Sequence, residues 1–346
     1  MDVDTATRPV TTVAEDLVHS LLGLVVVSAV YADGRAHILG LPDSFFTPWH
    51  AFLYGGLTLM VVWLVVISRS AARRSNGRWP LVIPAGYRPA VAGAALFAVG
   101  GVFDMFWHIA FGVEFGIDAL LSPSHLMLFA GGTLLLSGPL LASRRRVDAG
   151  STAARVPALL AVVGITAVAA FALSFLSAFL SDAPTMPVAH EPEGTEAHYI
   201  AEGLAAAGLG SFLTTTILLV APMVYLLRTR SWFPGAVTAL VAAIAAYAGS
   251  LTGFQNPASI ASALVAAALV DGLIVAIRHR LPARAVELVA TATLPVLLWT
   301  GQLLTVAAAY GLGWSEEMAS GVVMLSAIGG VAVVLAFGCT SRPDRA

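Results

Sequence analysis

Ten apolar stretches, each long enough to cross a lipid bilayer, constrain this chain more than any other feature. A bilayer core of about 30 Å requires roughly 20 helical residues. The stretches lie near 15–36, 49–68, 89–111, 123–143, 156–181, 199–227, 233–253, 257–277, 285–309 and 315–338. Because backbone in lipid must satisfy its own hydrogen bonds, they predict an all-α fold: a polytopic integral membrane helical bundle of about ten transmembrane helices.

The composition is typical of a membrane protein and excludes several classes of function. Hydrophobic residues make up 58% of the chain and charged residues 11%, against about 25% in soluble domains. All 18 basic residues are arginines, so Schiff-base chemistry on lysine is excluded. The net charge of -2 gives no reason to expect nucleic acid. With one cysteine, Cys339, any metal site must use mainly nitrogen and oxygen ligands.

The arginines also predict the orientation. They gather in the loops between spans 2 and 3, 4 and 5, 6 and 7, and 8 and 9, and on both terminal tails, whereas Arg35 lies on the other side. The positive-inside rule therefore predicts cytoplasmic N- and C-termini in a multi-pass protein of the cell inner (plasma) membrane. The opposite, extracytoplasmic face is acidic and would attract cations.

One polar pattern occurs twice at that outer face. It consists of an Asp-x3-His helix end, a turn, and a Thr/Ser-Pro-x-His helix start. Its Asp and two His are Asp33, His37 and His50 in the first hairpin, and Asp104, His108 and His125 in the second.

The spacing brings the three side chains of each hairpin together. An Asp and a His four residues apart share one helix face. An N-cap Thr47 or Ser122, followed by proline, places the second His in the first turn of the next helix. Two imidazoles and a carboxylate suit copper, zinc or non-haem iron, so the pattern predicts two metal sites near the extracytoplasmic side.

Other interpretations of these residues stay open. Interfacial histidines can be polar anchors, Asp33 can pair with Arg35, and a protonated Asp104 can hydrogen-bond to His108. Asp104 would lie roughly 20 Å above the inner end of its span, and carboxylates within a membrane usually mark functional sites.

The second hairpin is the predicted catalytic site, with Asp104, His108 and His125 as its residues. It would sit deeper than the first, which has Arg35 and Asp43 beside it and is expected to be wetter. Four aromatic residues around it are expected to form an apolar lining for a small substrate: Phe106, Trp107, Phe111 and Phe115.

Over roughly residues 13–145 these motifs resemble the C subunit of the copper membrane monooxygenases, which comprise particulate methane monooxygenase and ammonia monooxygenase. In that family an Asp-x3-His helix end and a Thr-Pro-x-His helix start hold copper, with the same twelve residues between the histidines as between His37 and His50. The family's second site resembles Asp104, His108 and His125, although Asp104 replaces an asparagine and the spacing is longer. Family C subunits also have fewer spans.

The resemblance implies copper as cofactor, with zinc or iron still open, and dioxygen-dependent oxidation of a small apolar substrate. Partner oxygenase subunits or a homo-oligomer are then expected in the lipid bilayer. The alternative is a non-catalytic copper-binding or copper-transport/homeostasis protein, so enzyme activity stays open.

The chain is expected to have three parts: two metal-binding hairpins (1–145), a hairpin with an acidic external loop that contains His190 and His198 (146–230), and additional transmembrane helices (231–346). In the last part, Asp271 is expected to pair with Arg278 or Arg280, or to mark a proton path.

Overall fold

The computed structural model describes residues 8–41, 47–77, 82–112, 114, 116–146, 150–229 and 231–338, so Asp43, Phe115 and Cys339 lie outside the described residues. In chain order the helices are α1 (Val13–Ile38), α2 (Pro48–Arg74), α3 (Arg88–Phe111), α4 (Ile117–Leu121), α5 (Pro123–Leu136), α6 (Gly138–Ser143), α7 (Thr152–Ala172), α8 (Glu196–Arg228), α9 (Ala236–Leu251), α10 (Pro257–Ile277), α11 (Ala283–Tyr310) and α12 (Glu316–Gly338). Two short 3-10 turns, Ser174–Leu176 and Ala183–Thr185, separate α7 from α8. The predicted all-α class is confirmed.

Within the described ranges, nine helical segments are long and apolar enough to cross a membrane, and α5 with α6 forms one of them. The prediction of a multi-pass helical bundle is confirmed. The predicted seventh span corresponds to α9, which has only 16 residues. At about 1.5 Å per residue it extends roughly 24 Å, which is shorter than a bilayer core. It begins after Gly235, whose φ of 96° lies in the left-handed region, so the right-handed helix cannot extend further toward the N-terminus.

The predicted fifth span also differs from the structure, because α7 ends at Ala172 although the apolar sequence continues to 181. A 3-10 turn follows, and the Ala178 amide donates to the Thr215 hydroxyl at 2.9 Å. Backbone groups outside a helix must find such internal partners at membrane depth. Apolar composition alone could not reveal this change of backbone.

The chain forms two compact units, Met1–Ala172 and Leu173–Ala346. In the first unit, α1 packs on α2 and α7, and α3 packs along α5. In the second, α11 packs on both α10 and α12, while α9 packs on α10 and α8 on α12. The predicted metal-binding segment, 1–145, belongs wholly to the first unit.

Glycines allow α3 and α5 to approach each other closely. A Cβ at Gly93 would lie 2.3 Å from the Leu135 nitrogen, and one at Gly131 would lie 2.6 Å from the Phe97 nitrogen. Larger residues would therefore force the two backbones apart. This close pair of helices carries all three residues of the second Asp/His/His group.

A buried polar cluster fixes the arginine-rich end of the first unit. The Asp16 carboxylate is fully buried, accepts a hydrogen bond from the Tyr87 hydroxyl at 2.7 Å and pairs with Arg146. Nearby, Arg74 pairs with Glu15 at 2.9 Å, and Glu15 completes a capping box at the start of α1. These contacts tie the ends of several helices together, opposite the end that carries the Asp/His/His groups.

Asp271 has a structural role in the second unit. Its carboxylate accepts hydrogen bonds from the Trp232 indole at 2.9 Å and from the amide and hydroxyl of Thr238 at 2.8 and 2.7 Å. The carboxylate thus caps the start of α9, where backbone amides lack helical partners. Arg278 lies over the Trp232 ring, 5.5 Å from its centre, and so makes a cation–π contact with the indole that donates to Asp271.

Candidate metal centre

Site 1 consists of Asp33, His37 and His50. Asp33 and His37 lie one turn apart near the end of α1, and α2 begins at Pro48, which puts His50 in its first turn. The Asp33 Oδ1 atom is 3.6 Å from the His37 Nε2 and 3.3 Å from the His50 Nε2. One ligand atom from each residue lies within 4.8 Å of the others.

Site 2 consists of Asp104, His108 and His125, on the last turns of α3 and the first turn of α5. The Asp104 Oδ1 atom is 3.4 Å from the His108 Nε2 and 3.7 Å from the His125 Nδ1. These three side chains also offer ligand atoms within 4.8 Å of one another. The structure therefore brings together, in each hairpin, the three residues that the sequence pattern singled out.

The donor separations suit a metal ion. With metal–ligand bonds of about 2.1 Å, tetrahedral ligands lie about 3.4 Å apart, and the distances from the aspartates to the Nε2 atoms of His37, His50 and His108 are 3.3 to 3.6 Å. A direct N–H···O hydrogen bond would be shorter, about 2.7–3.2 Å. The residues thus fit an ion of copper or zinc size, held by two nitrogens and one oxygen.

Two serines support the ligands of site 2. The Ser124 hydroxyl donates to the Asp104 Oδ1 at 2.8 Å, and the Ser122 hydroxyl lies 2.7 Å from the His125 Nδ1. Ser122 also caps α5 by accepting the His125 amide. Hydrogen bonds of this kind orient a ligand and restrict its rotation before an ion binds.

The aromatic residues around site 2 differ from the predicted lining. Phe106 and Phe111 are 58% and 70% exposed, so they face outward from the first unit. Phe106 is two residues from Asp104 and hence lies on the opposite face of α3, while Phe111 is the last residue of the helix. Trp107 instead donates its indole hydrogen to the Glu114 carboxylate.

The two sites lie near each other at one end of the first unit. Tyr54, one turn beyond His50, has its ring centre 6.2 Å from that imidazole. The tyrosine Cε1 atom lies 3.5 Å from the position that a Cβ on Gly101 would take, and Gly101 precedes Asp104 by one turn of α3.

Sequence reasoning did not find the roles of Ser124, Trp107 and Tyr54. Their contacts join different helices or a helix and a loop, so spacing along one helix carries no signal for them. In the segment predicted to be an acidic external loop, His190 is exposed, whereas His198 lies in the first turn of α8 with its ring beside Tyr199. Among the described residues, the His/Cys/Asp/Glu groups that could hold an ion are sites 1 and 2.

Comparison of the chain with protein-family models, with curated proteins and with solved structures found no match. Its own residues define the molecule as a multi-pass helical membrane protein. Within the described ranges it has two groups of side chains that could each hold a metal ion.

Proposed function

We propose that this protein binds copper at sites 1 and 2 and takes part in the dioxygen-dependent oxidation of a small apolar substrate, with site 2 as the reactive centre. The observation that carries the proposal is the geometry of the two Asp/His/His groups, whose separations suit an ion. The order of their residues resembles the C subunit of copper membrane monooxygenases. Copper supplies the one-electron chemistry that dioxygen reduction requires.

The residues of site 2 provide the binding geometry for this chemistry. His108 and His125 offer neutral nitrogen donors from two helices, and Asp104 offers a negative oxygen that offsets the charge of an ion. Ser124 holds the Asp104 carboxylate through a 2.8 Å hydrogen bond, and Ser122 fixes the orientation of the His125 ring. A site restrained in this way needs little rearrangement when an ion binds.

The surface near site 2 suits a substrate that arrives from the lipid. Phe106 and Ile109 are 58% and 75% exposed, so the outward face of α3, opposite the face that carries Asp104, is apolar. A small apolar molecule dissolved in the bilayer would meet these side chains before it reached the polar end of the helix. The proposed setting is the cell inner membrane, with both sites on the extracytoplasmic side and with partner oxygenase subunits or further copies of this chain.

Copper handling is the competing proposal, and the distribution of polar groups argues against a transport path. A path needs ligands at several depths. In the described part of the second unit, the buried carboxylates have structural partners: Asp271 caps α9, and Glu287 pairs with Arg228 at 2.8 Å. Neither carboxylate is available as a stepping site for an ion.

The test uses membranes that contain the full chain together with candidate oxygenase subunits. With a two-electron reductant supplied, we expect copper-dependent oxidation of a small hydrocarbon or of ammonia. One atom of ¹⁸O₂ should enter the product, and the other should be reduced to water with two electrons and two protons. The matched control is the same membrane with His108→Ala. Copper tolerance that follows expression of the chain, with no oxidation under any partner set, would favour copper handling instead.

A further inference from the structure

Glu114 follows the end of α3 and contacts that helix through Trp107. α3 stops at Phe111 because Gly112 adopts a φ of 84°, which non-glycine residues rarely adopt. Glu114 lies against Trp107, whose indole donates a hydrogen bond to the Glu114 Oε1. Since Trp107 follows Asp104 by three residues, it lies on the same side of α3 as that ligand and holds the carboxyl group at the end of the helix that carries site 2.

The second oxygen of this carboxyl group is in an unfavourable state. The Oε2 atom of Glu114 is buried, and within the described residues it has no hydrogen-bond partner. An unsatisfied buried oxygen costs roughly 1–3 kcal/mol, and more when it is charged. Native structures keep such atoms rarely, most often where an ion or a water completes the site.

We propose that Glu114 is a further metal ligand of site 2, which then holds its ion with two imidazoles and two carboxylates. Glu114 lies outside the group of atoms within 4.8 Å of one another, so its side chain rotates inward when the ion binds. Trp107 is the positioning residue that keeps the carboxyl group within reach through Oε1, and Oε2 is the ligand atom.

The second carboxylate determines which ion site 2 prefers. Two negative oxygens neutralise a divalent ion, whereas Cu⁺ gains less from hard oxygen ligands. Site 2 should therefore bind Cu²⁺ or Zn²⁺ more strongly, relative to Cu⁺, than three ligands alone would. The inference rests on the proposed function only in requiring that site 2 bind a metal ion.

The experiment isolates site 2 in the full-length protein by means of a His37→Ala/His50→Ala background. Competition with chelators measures the dissociation constants for Cu²⁺ and Cu⁺ before and after Glu114→Gln is added. We expect Cu²⁺ binding to weaken about tenfold or more, and Cu⁺ binding to change by less than about threefold. The electron paramagnetic resonance spectrum of bound Cu²⁺ should shift as an oxygen ligand is lost.

Two further variants control the measurement. Asp118→Asn removes an exposed carboxylate from the neighbouring helix α4 and should leave affinity and spectrum unchanged. Trp107→Phe removes the anchor but keeps the ligand, so it should weaken Cu²⁺ binding less than Glu114→Gln does. If the background binds Cu²⁺ and Glu114→Gln has the same affinity and spectrum, the inference is wrong while metal binding at site 2 stands. If the background binds no metal, both proposals fail.

Discussion

Sites 1 and 2 present the same three ligand types at the same end of the first unit, and their carboxylates are similarly exposed, 18% for Asp33 and 15% for Asp104. A difference between them lies at the residue that precedes the second histidine of each hairpin. Ser124 donates to the Asp104 carboxylate at site 2. The corresponding position at site 1 is Trp49, whose indole nitrogen is buried and has no hydrogen-bond partner within the described residues.

The starts of the two second helices differ in the same way. Ser122 caps α5 and contacts the His125 ring, whereas the Thr47 side chain forms no cap on α2. His37 is the most exposed of the six ligands, at 34%. The serine contacts orient the site 2 ligands, which suits that site to chemistry, while the exposure of His37 suits site 1 to capturing an ion.

The largest expected difference between the sites concerns turnover. His108→Ala removes a nitrogen ligand from the proposed reactive centre and should reduce oxidation below detection. His37→Ala removes the equivalent ligand from site 1 and should leave measurable oxidation. The assay compares the two variants in identical membranes with the same partner subunits. Equal losses would contradict the division into a reactive and a supporting site.

The next effect concerns the charge of the ligand at site 2. Asp104→Asn keeps an oxygen donor but removes a negative charge, and asparagine is the residue type of the resembled family. We expect copper to be retained with Cu²⁺ affinity lowered about 10- to 100-fold. Titration against a chelator measures this in a His37→Ala/His50→Ala background. Complete loss of copper would show that the charge itself is essential.

A third prediction separates a ligand carboxylate from a structural one. Asp271→Ala would leave the Trp232 indole and the Thr238 amide without their acceptor, which should lower the free energy of unfolding by about 3 kcal/mol. Metal content should not change. Asp104→Ala should show the reverse pattern, losing metal with little change in stability. Unfolding of both variants in detergent, together with their metal content, measures the two effects. The control is Asp182→Asn, which changes an exposed carboxylate. Loss of metal in Asp271→Ala would contradict the prediction.

The smallest effect concerns the serine that supports Asp104. Ser124→Ala removes the 2.8 Å hydrogen bond and should weaken copper binding at site 2 by up to about tenfold. Trp49→Phe is the matched change at site 1 and should leave copper binding there nearly unchanged, because it removes no hydrogen bond seen in the described residues. An unaltered affinity in Ser124→Ala would mean that the two sites do not differ in restraint.

Local signals predicted much of this molecule. Proline placed the starts of α2 and α5 correctly, and Asp-x3-His is a property of a single helix turn. The end of α7 and the length of α9 were mispredicted, because apolar sequence continues where the backbone leaves the helix.

The contacts around the sites could not be predicted from the sequence, for a related reason. The contacts of Ser124 with Asp104 and of Trp107 with Glu114 depend on how helices and a loop meet. Asp271 was expected to pair with Arg278 or Arg280 or to mark a proton path, because nothing in its own helix reveals that it caps another one. The aromatic residues near site 2 were expected to line it, yet helix periodicity turns Phe106 to the outside.

Metal content tests the central claim most directly. The wild-type chain, a His37→Ala/His50→Ala variant, a His108→Ala/His125→Ala variant and the combination of all four changes would be purified, loaded with copper, washed and analysed by mass spectrometry of the metal. Because two separate groups of ligands are present, the account predicts two ions per chain in the wild type, one in each double variant and none in the fourfold variant, with helical content preserved throughout. Equal metal content in all four proteins would contradict it.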